Sequence, residues 1–240
     1  MIKLILLRHG QSQWNLENRF TGWCDADLTE QGVSEAKKAG HLIKKKNIIF
    51  NFAFTSFQMR AIKTLSNLME ELDKPIKNIT KAWQLNERHY GALQGLNKAE
   101  MAKKHGEKQI MIWRRSYDTP PPPLDNKDPN HPKNMEIYSS INPNNIPDTE
   151  SLKDTFDRSV PYFKSYVEPI LKSEQNILIA AHGNSLRAIC KYLFKISDEM
   201  IVKLEIPTGN PIEIDLDKSL KILNYSYMDS KRAKEIYFNR

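Results

Sequence analysis

The chain has 240 residues, of which 40% are hydrophobic and 27% are charged, and its 36 Lys and Arg against 29 Asp and Glu give a net charge of +7. This composition is ordinary for a globular protein, the length favours one domain, and the apolar runs are too short to cross a bilayer. The charge fits nucleic acid, an anionic lipid or a small anionic substrate as partner, but lysines spread over a solvated surface explain it equally well.

The two cysteines, Cys24 and Cys190, form neither a disulfide framework nor a metal-ligand spacing. The start of the chain is apolar for only four residues before Arg8, which is shorter than the apolar region of a signal peptide. We therefore expect a cytoplasmic protein.

In chain order, the apolar pattern alternates between strands and helices. Short apolar runs without alternation predict buried parallel strands at 3–7 and 176–181, and a third strand is predicted at 52–55. Helical spacing predicts helices that follow Thr29 or span 58–72, 151–171 and 185–194, with Pro161 perturbing the third of these. Later strands are predicted at 202–206 and 212–216. The expected fold is an α/β three-layer sandwich, in which a mostly parallel central sheet is flanked by helices.

One stretch departs from this alternation. Eight of the 13 prolines lie between Pro120 and Pro147. A loop this long is either disordered or a functional insertion, and a polyproline ligand for a partner is the less favoured alternative. We expect a single domain over 1–240, with a proline-rich excursion at about 117–149 and a flexible tail at 229–240.

Two similar segments follow the two buried strands. The first strand runs into RHGQS around His9, and the strand at 176–181 runs into AHGNS around His182. Because ligands of open α/β sheets bind at the carboxyl ends of strands, the two histidines could face each other across one crevice. The alternative is that both histidines merely cap their strands. The other histidines lack this setting, and we expect His41, His105 and His131 at the surface.

The chemistry of this crevice must rest on histidine, because the sequence contains no metal-ligand cluster, Walker loop, dinucleotide fingerprint or serine nucleophile elbow. A neutral imidazole is a competent nucleophile toward phosphorus. Arginines bind phosphate through a planar fork, and the candidates are Arg8, Arg60, Arg114 and Arg115. Glu87, in the polar segment 85–91, is the best candidate for an acid/base group; the alternative is that it pairs with a neighbouring arginine.

Together these segments resemble the cofactor-dependent phosphoglycerate mutases of the histidine phosphatase superfamily. The resemblance extends from residue 3 to about residue 211 and rests on the segments LRHGQSQWN, NRFTGW, LNERHY, GLNKAE, IWRRSY and AAHGNSLR. It implies that His9 is the phosphorylated nucleophile, that Glu87 donates and accepts the proton, and that His182 supports the transferring phosphoryl group. It places Arg8 and Arg60 around that group. The substrate-binding residues that we predict are Ser12, Asn15, Thr21, Gly22, Tyr90, Lys98, Arg114, Arg115, Gly183 and Asn184.

The resemblance implies an isomerase that interconverts 3-phosphoglycerate and 2-phosphoglycerate, primed by 2,3-bisphosphoglycerate and without a metal. We expect small anionic phosphoglycerates as substrates, a homodimer or homotetramer, and no nucleic acid or membrane partner. The alternatives are a phosphatase of the same superfamily, a bisphosphoglycerate mutase/phosphatase or, outside enzymes, a basic anion-binding or nucleic-acid-binding protein. The tail keeps basic residues but lacks the Gly-Lys ending of many family members. The sequence therefore does not decide whether the tail closes over the site.

Overall fold

A computed structural model describes residues 1–236, in which six strands form one sheet. The strands are β1 (Ile2–Arg8), β2 (Phe52–Thr55), β3 (Asn78–Lys81), β4 (Ile177–Ala181), β5 (Ile212–Leu216) and β6 (Ile222–Tyr227). Their order across the sheet is β3-β2-β4-β1-β5-β6. Strands β1 to β4 are mutually parallel, whereas β5 is antiparallel to both of its neighbours. The mostly parallel sheet that the sequence predicts is confirmed.

The described helices are α1 (Gln13–Leu16), α2 (Glu30–Lys45), α3 (Met59–Met69), α4 (Lys98–His105), α5 (Glu107–Arg115), α6 (Leu152–Tyr162), α7 (Glu168–Lys172), α8 (Gly183–Phe194) and α9 (Asp198–Ile201). Helices α2 and α3 cover one face of the sheet, and α6 to α8 cover the other. Strand β1 shows why two layers are needed. Its alternate residues are buried on opposite faces, Ile5 and Leu7 against α2 and α3, and Leu4 and Leu6 against the α6 and α8 side.

Local signals in the sequence fix the helix starts. Thr29 caps α2, with its Oγ1 accepting the Gly32 N–H at 3.1 Å. Ser151 caps α6 in a reciprocal pair with Asp154. Pro161 lies inside α6, and one turn of π-helix at Phe163–Val167 follows before α7 continues the same path. The predicted helix over 151–171 is therefore present, with the expected perturbation.

One predicted strand is wrong, and two strands of the sheet are missing from the sequence prediction. The predicted strand at 202–206 is wrong: these residues leave α9 as a turn and irregular chain. Leu204 and Ile206 are buried, so the alternation of apolar and polar residues in this segment arises from contact with the core and not from pairing with a strand. The sequence does not predict the edge strands β3 and β6. β3 is exposed along its whole length, and Tyr227 is the one buried residue of β6, so neither strand has a buried apolar run.

The proline-rich excursion is irregular chain with short 3₁₀ turns that fold back over the Trp23 loop. Tyr138 is fully buried beside Trp23, and its hydroxyl donates to the Trp23 carbonyl oxygen at 2.5 Å. The expectation that His131 lies at the surface is wrong. Its side chain is fully buried, and Nε2 lies 3.1 Å from Asp148 Oδ1 at the end of the excursion. His41 and His105 are exposed as expected.

The beginning of the expected tail is held against α2. Asp229 pairs with Lys38 at 2.5 Å, and Arg232 donates to the Thr208 carbonyl oxygen at 2.6 Å. Ile236 is buried in the larger core cluster, whereas Tyr237 and Phe238, the other apolar residues of the tail, lie outside the described residues. Within residues 1–236, no helix is both long and apolar enough to span a membrane.

Candidate active site

A cavity of about 320 Å³ opens at the carboxyl ends of β1 and β4, where the parallel part of the sheet predicts a ligand site. Two carboxylates, Glu87 and Glu205, lie in its described lining. The basic side chains in that lining are Arg8, Arg19, Arg60, Lys98, Arg114, Arg115, Arg187 and Lys234. This excess of cations makes the cavity a site for a small, highly charged anion.

His9 follows β1 directly, and its N–H donates to the Ala181 carbonyl oxygen at 2.9 Å, which ties it to the end of β4. Its Nδ1 lies 2.7 Å from the Gly10 carbonyl oxygen, so Nδ1 carries the proton and donates it there. Burial, together with the charges of Arg60 and Arg8, lowers the pKa of His9 well below its usual value. The imidazole is therefore neutral, and Nε2 keeps its lone pair for a nucleophilic role.

Gly10 allows this turn to pack closely against the first turn of α2. A Cβ on Gly10 would lie 2.1 Å from the Gly32 carbonyl oxygen, a distance that no side chain tolerates. The Gly10 N–H donates to Thr64 Oγ1 at 3.0 Å, so α3 also holds the loop. The position of His9 is thus fixed by two helices and a strand.

His182 lies beside His9, with the ring centroids 5.0 Å apart. Its Nε2 is 2.7 Å from Ser56 Oγ, and that oxygen accepts the Gln58 N–H at 3.1 Å. The Ser56 hydroxyl has one proton to donate and two lone pairs that can accept, so it can pair with either neutral tautomer of His182. His182 Nδ1 is buried and has no hydrogen-bond partner among residues 1–236, so this nitrogen is available to a group bound beside His9.

Helix α8 begins directly after His182, so its N-terminus lies at the cavity. Gly183 and Asn184 line the cavity wall there, and the positive end of the helix dipole favours an anion. A Cβ on Gly183 would lie 3.5 Å from Arg8 Nε, at ordinary van der Waals contact, and would occupy space between the helix and the arginine.

Arg8 and Arg60 are oriented by backbone carbonyl oxygens and not by carboxylates. Arg8 Nη1 donates to the Ile206 oxygen at 2.7 Å, and Arg60 donates to the Gly22 and Cys24 oxygens, both at 2.9 Å. Each guanidinium keeps a buried Nε without a partner among residues 1–236. Neither arginine forms an ion pair among residues 1–236, so both guanidinium groups remain available to phosphate oxygens.

Glu87 is 8% exposed, and its hydrogen bonds among residues 1–236 are made by one oxygen. Its Oε1 accepts the backbone N–H of Arg88 at 2.8 Å and that of Asn184 at 3.1 Å. Its Oε2 lies on the cavity side, 3.6 Å from the position of a Cβ on Gly183. The carboxylate is thus held by Oε1 and presents Oε2 to a ligand.

The far end of the cavity is formed by α5, Tyr90 and Lys98. Arg88 is fully buried, stacks over the Tyr90 ring at 4.5 Å and donates to the carbonyl oxygens of Trp113 and Arg114 at the end of α5. It thereby fixes the place of Arg114 relative to Tyr90. Burial, opposed by the negative charge that Tyr90 can carry, lowers the pKa of Lys98.

The structure brings nearly all the predicted site residues together. Ser12 lies under the cavity and not in its lining: it caps α1, and its Oγ accepts the Asn15 N–H at 3.3 Å. His182 also lies outside the lining, directly behind His9. The predicted residues that line the cavity are Arg8, His9, Asn15, Thr21, Gly22, Arg60, Glu87, Tyr90, Lys98, Arg114, Arg115, Gly183 and Asn184.

Four charged lining residues were not predicted: Arg19, Arg187, Glu205 and Lys234. Arg187 had a usable signal, because it lies three residues after Asn184 on one helix face. Its Nη1 donates to Asn184 Oδ1 at 2.9 Å, which turns the Asn184 amide nitrogen toward Tyr90. Burial, and then the charges of Arg115 and Arg88, lower the pKa of Arg187 to about 9.

Among residues 1–236, no three His, Cys, Asp or Glu side chains are grouped so that they could hold a metal ion. The cations that face the cavity are arginine and lysine side chains, and these can stabilise the charge of a transferring phosphoryl group.

Comparisons with known proteins agree with this geometry. A family model for branch 1 of the histidine phosphatase superfamily matches residues 4–225. A 2,3-bisphosphoglycerate-dependent phosphoglycerate mutase of Pelagibacter ubique (strain HTCC1062) is 55% identical over 237 residues, which cover 98% of this chain and 99% of the relative.

Solved structures at lower identity share the fold. A mycobacterial glucosyl-3-phosphoglycerate phosphatase has a TM-score of 0.69 at 20% identity, covering 95% of this chain and 97% of its own. An alpha-ribazole phosphatase from Shigella flexneri has a TM-score of 0.67 at 19% identity, covering 93% and 95%. The chain thus belongs to branch 1 of the histidine phosphatase superfamily and, within it, to the family of 2,3-bisphosphoglycerate-dependent phosphoglycerate mutases.

Proposed function

We propose that this protein interconverts 3-phosphoglycerate and 2-phosphoglycerate, in glycolysis and gluconeogenesis, through a phosphohistidine that 2,3-bisphosphoglycerate primes. The observation that carries the proposal is the pair of histidines, His9 and His182, whose ring centroids are 5.0 Å apart. The pair lies at one end of a cavity that is lined mainly by basic side chains. A phosphoryl group would sit at the histidines, and the far cations would hold the carboxylate or second phosphate of a glycerate. The 55% identity to a phosphoglycerate mutase supports this choice of substrate.

The reaction begins with priming. His9 Nε2 attacks one phosphorus of 2,3-bisphosphoglycerate, the bond from that phosphorus to the glycerate oxygen breaks, and Glu87 gives the leaving oxygen a proton. Arg8, Arg60 and the start of α8 face the phosphoryl oxygens and stabilise their charge. His182, whose ring centroid lies 5.0 Å from that of His9, supports the same group.

Phosphoryl transfer to substrate runs in the opposite direction. Glu87 takes the proton of the free hydroxyl of 3-phosphoglycerate, the hydroxyl oxygen attacks the phosphohistidine, and the bond from phosphorus to His9 Nε2 breaks. The resulting 2,3-bisphosphoglycerate turns within the cavity, and His9 then takes the other phosphate. Release of 2-phosphoglycerate leaves the phosphoenzyme ready for another turnover.

Phosphatase activity of the same site is the competing function. Hydrolysis needs only the histidine end of the cavity. A mutase must also hold the bisphosphate intermediate while this intermediate reorients within the cavity. The cluster of Lys98, Arg114 and Arg115 at the far end favours the mutase, because two anionic groups can be held at once.

A coupled assay of 2-phosphoglycerate formation from 3-phosphoglycerate, with and without 2,3-bisphosphoglycerate, tests the proposal. We expect activity that rises with the bisphosphate and survives exhaustive EDTA treatment. Phosphate release without 2-phosphoglycerate would establish a phosphatase instead. Loss of activity on chelation, restored by Mn²⁺, would refute the metal-independent mechanism.

A cytoplasmic location and a homodimer or homotetramer complete the proposal. Sedimentation of the full chain at several concentrations distinguishes these assemblies from a monomer.

A further inference from the structure

The cavity contains one carboxylate that the proposed reaction does not use. Glu205 lies on the rim formed by 204–207, after α9, and pairs with Arg115 Nη2 at the end of α5. The side chain of Glu205 is 51% exposed and that of Arg115 is 27% exposed, so both are accessible to solvent and to a ligand. An acidic group at this place opposes the binding of any anion to the same arginine.

The rim holds Glu205 in this position through its backbone. The adjacent Ile206 carbonyl oxygen accepts from Arg8 Nη1 at 2.7 Å, and the Glu205 carbonyl oxygen accepts the Tyr227 hydroxyl at 3.4 Å. The backbone is thus anchored on both sides, while the carboxylate is free to leave Arg115.

The remaining carboxylate of the lining, Glu87, has both a structural and a chemical explanation. Its Oε1 binds two backbone N–H groups, and the proposed reaction uses its Oε2, on the cavity side, to move the proton. Glu205 binds no backbone N–H with its carboxylate in the described contacts and pairs with Arg115, one of the cations that the proposed function assigns to the second anionic group of a ligand.

We infer that Glu205 is a specificity-determining residue that competes with the ligand for Arg115 and weakens the binding of doubly phosphorylated anions more than that of singly phosphorylated ones. The repulsion between the Glu205 carboxylate and an anion grows with the charge of the anion, so the binding of the more highly charged ligand is weakened more. A mutase gains from this, because its bisphosphate intermediate must remain free to turn and must not block the site. The benefit to a mutase rests on the proposed function, whereas the predicted change in anion binding can be measured without any catalytic activity.

Calorimetric titration of the full-length protein with inorganic phosphate and with inorganic pyrophosphate tests it. We expect Glu205→Gln to tighten phosphate binding by roughly two- to fivefold, the scale of an exposed ion pair, and pyrophosphate binding by a larger factor. The matched control is Glu199→Gln, which removes an exposed carboxylate of α9 outside the cavity and should change neither affinity. High salt should shrink the difference between wild type and Glu205→Gln.

Unchanged or weaker binding of both probes by Glu205→Gln would overturn the inference, because the pair would then only position Arg115. An equal gain for both probes would overturn the claim about specificity. Neither probe requires turnover, so the result stands apart from the mutase assay: a protein without mutase activity could still show the shift, and an active mutase could lack it.

Discussion

A single carboxylate has to move the proton in the proposed reaction, and Glu87 is placed for it. Replacing Glu87 by Gln keeps its shape and the two N–H contacts at the anchored oxygen, but removes the ability to take a proton. General acid/base groups contribute about 10²- to 10⁴-fold, so we expect kcat to fall by roughly that factor while inorganic phosphate still binds. A variant within about threefold of wild type would show that another group moves the proton.

The loop that carries Glu87 is supported from behind by a buried ion pair. Arg158 of α6 meets Glu150 in a two-pronged contact of 2.6 and 2.9 Å, and also donates to the carbonyl oxygen of Glu87 at 2.9 Å. Glu150 accepts the His89 N–H at 2.8 Å. The pair therefore holds the chain on both sides of the acid/base residue, and we regard Arg158 and Glu150 as positioning residues.

Glu150→Gln should both destabilise the protein and slow it. Removing one partner leaves the Arg158 charge buried, which costs about 3–5 kcal/mol in comparable pairs. At a temperature where the variant remains folded, kcat should fall with little change in KM, because the anion site is left intact. Urea unfolding and steady-state kinetics measure the two effects.

A control for this experiment lies on the same helix. Asp157→Asn breaks an exposed pair with Lys153 and should cost less than about 1 kcal/mol, with no change in kcat. Equal effects of the Glu150 and Asp157 variants would remove the positioning role.

At the scale of elements, the sequence predicts buried structure far better than edges. β1 and β4 have continuous apolar runs because both of their faces are covered, and this pattern locates them to within a residue or two. β3 has no buried residue and pairs only along one side, so no hydrophobic signal marks it. The segment 202–206 shows the converse, since its alternation arises from burial without pairing.

In the candidate site too, the sequence predicts the residues that follow buried strands and misses those whose role depends on distant parts of the chain. His9 and His182 are predictable because each follows a recognisable buried strand. Ser56 and Arg158 are not, because Ser56 acts on His182 across 126 positions of sequence and Arg158 acts on the Glu87 backbone across 71 positions. Only the folded chain brings these partners together.

The C-terminal segment is the element that we expect to exclude water. Lys234 lines the cavity, and Arg232 pairs with Glu35, whose other oxygen accepts the Gln11 N–H beside the His9 loop. Deleting 229–240 should therefore lower mutase activity and raise hydrolysis of 2,3-bisphosphoglycerate, because water then reaches the phosphohistidine. The measurement is the ratio of the two rates in truncated and full-length proteins.

An unchanged ratio would assign exclusion of water to another element, and the proline-rich excursion after Arg115 is the next candidate. Circular dichroism should show the same fold in both proteins. If the truncated protein does not fold, Lys234→Ala tests the same role, because this variant removes only the contact of the tail with the cavity.

For the molecule as a whole, buried histidines make stability depend on pH. Burial lowers the pKa of His89 to about 3, with His131 and Arg158 adding to the effect, and the pKa values of His9 and His182 are also well below their usual value. An unfolded histidine has a pKa near 6.5, so below that pH the unfolded chain binds protons that the folded chain does not. Stability is therefore complete above about pH 6.5 and falls as the pH drops through the range below it.

Urea unfolding at pH 7.5 and 5.5 measures this loss. Each histidine that stays neutral in the folded protein should lower the free energy of unfolding by about 1.4 kcal/mol between these two pH values. His89→Gln should reduce the total loss by about the contribution of one histidine. Equal stability at both pH values would show that these histidines can be protonated in the folded state.

The distribution of charge over the molecule also gains a local explanation. The net charge of +7 is compatible with solvated lysines, but eight cationic side chains meet in the described cavity lining. Three of these arginines, Arg8, Arg60 and Arg187, donate to backbone carbonyl oxygens and form no ion pair among residues 1–236, so they remain available to an anionic ligand.

Phosphorylation of His9 is the most direct test of the account. After incubation of the full-length protein with 2,3-bisphosphoglycerate, mass spectrometry under neutral or basic conditions should locate one phosphoryl group on His9. The label should be lost in acid, and His9→Ala should not acquire it. Labelling of His9→Ala to the wild-type extent, or a phosphoryl group on another residue, would contradict the central claim.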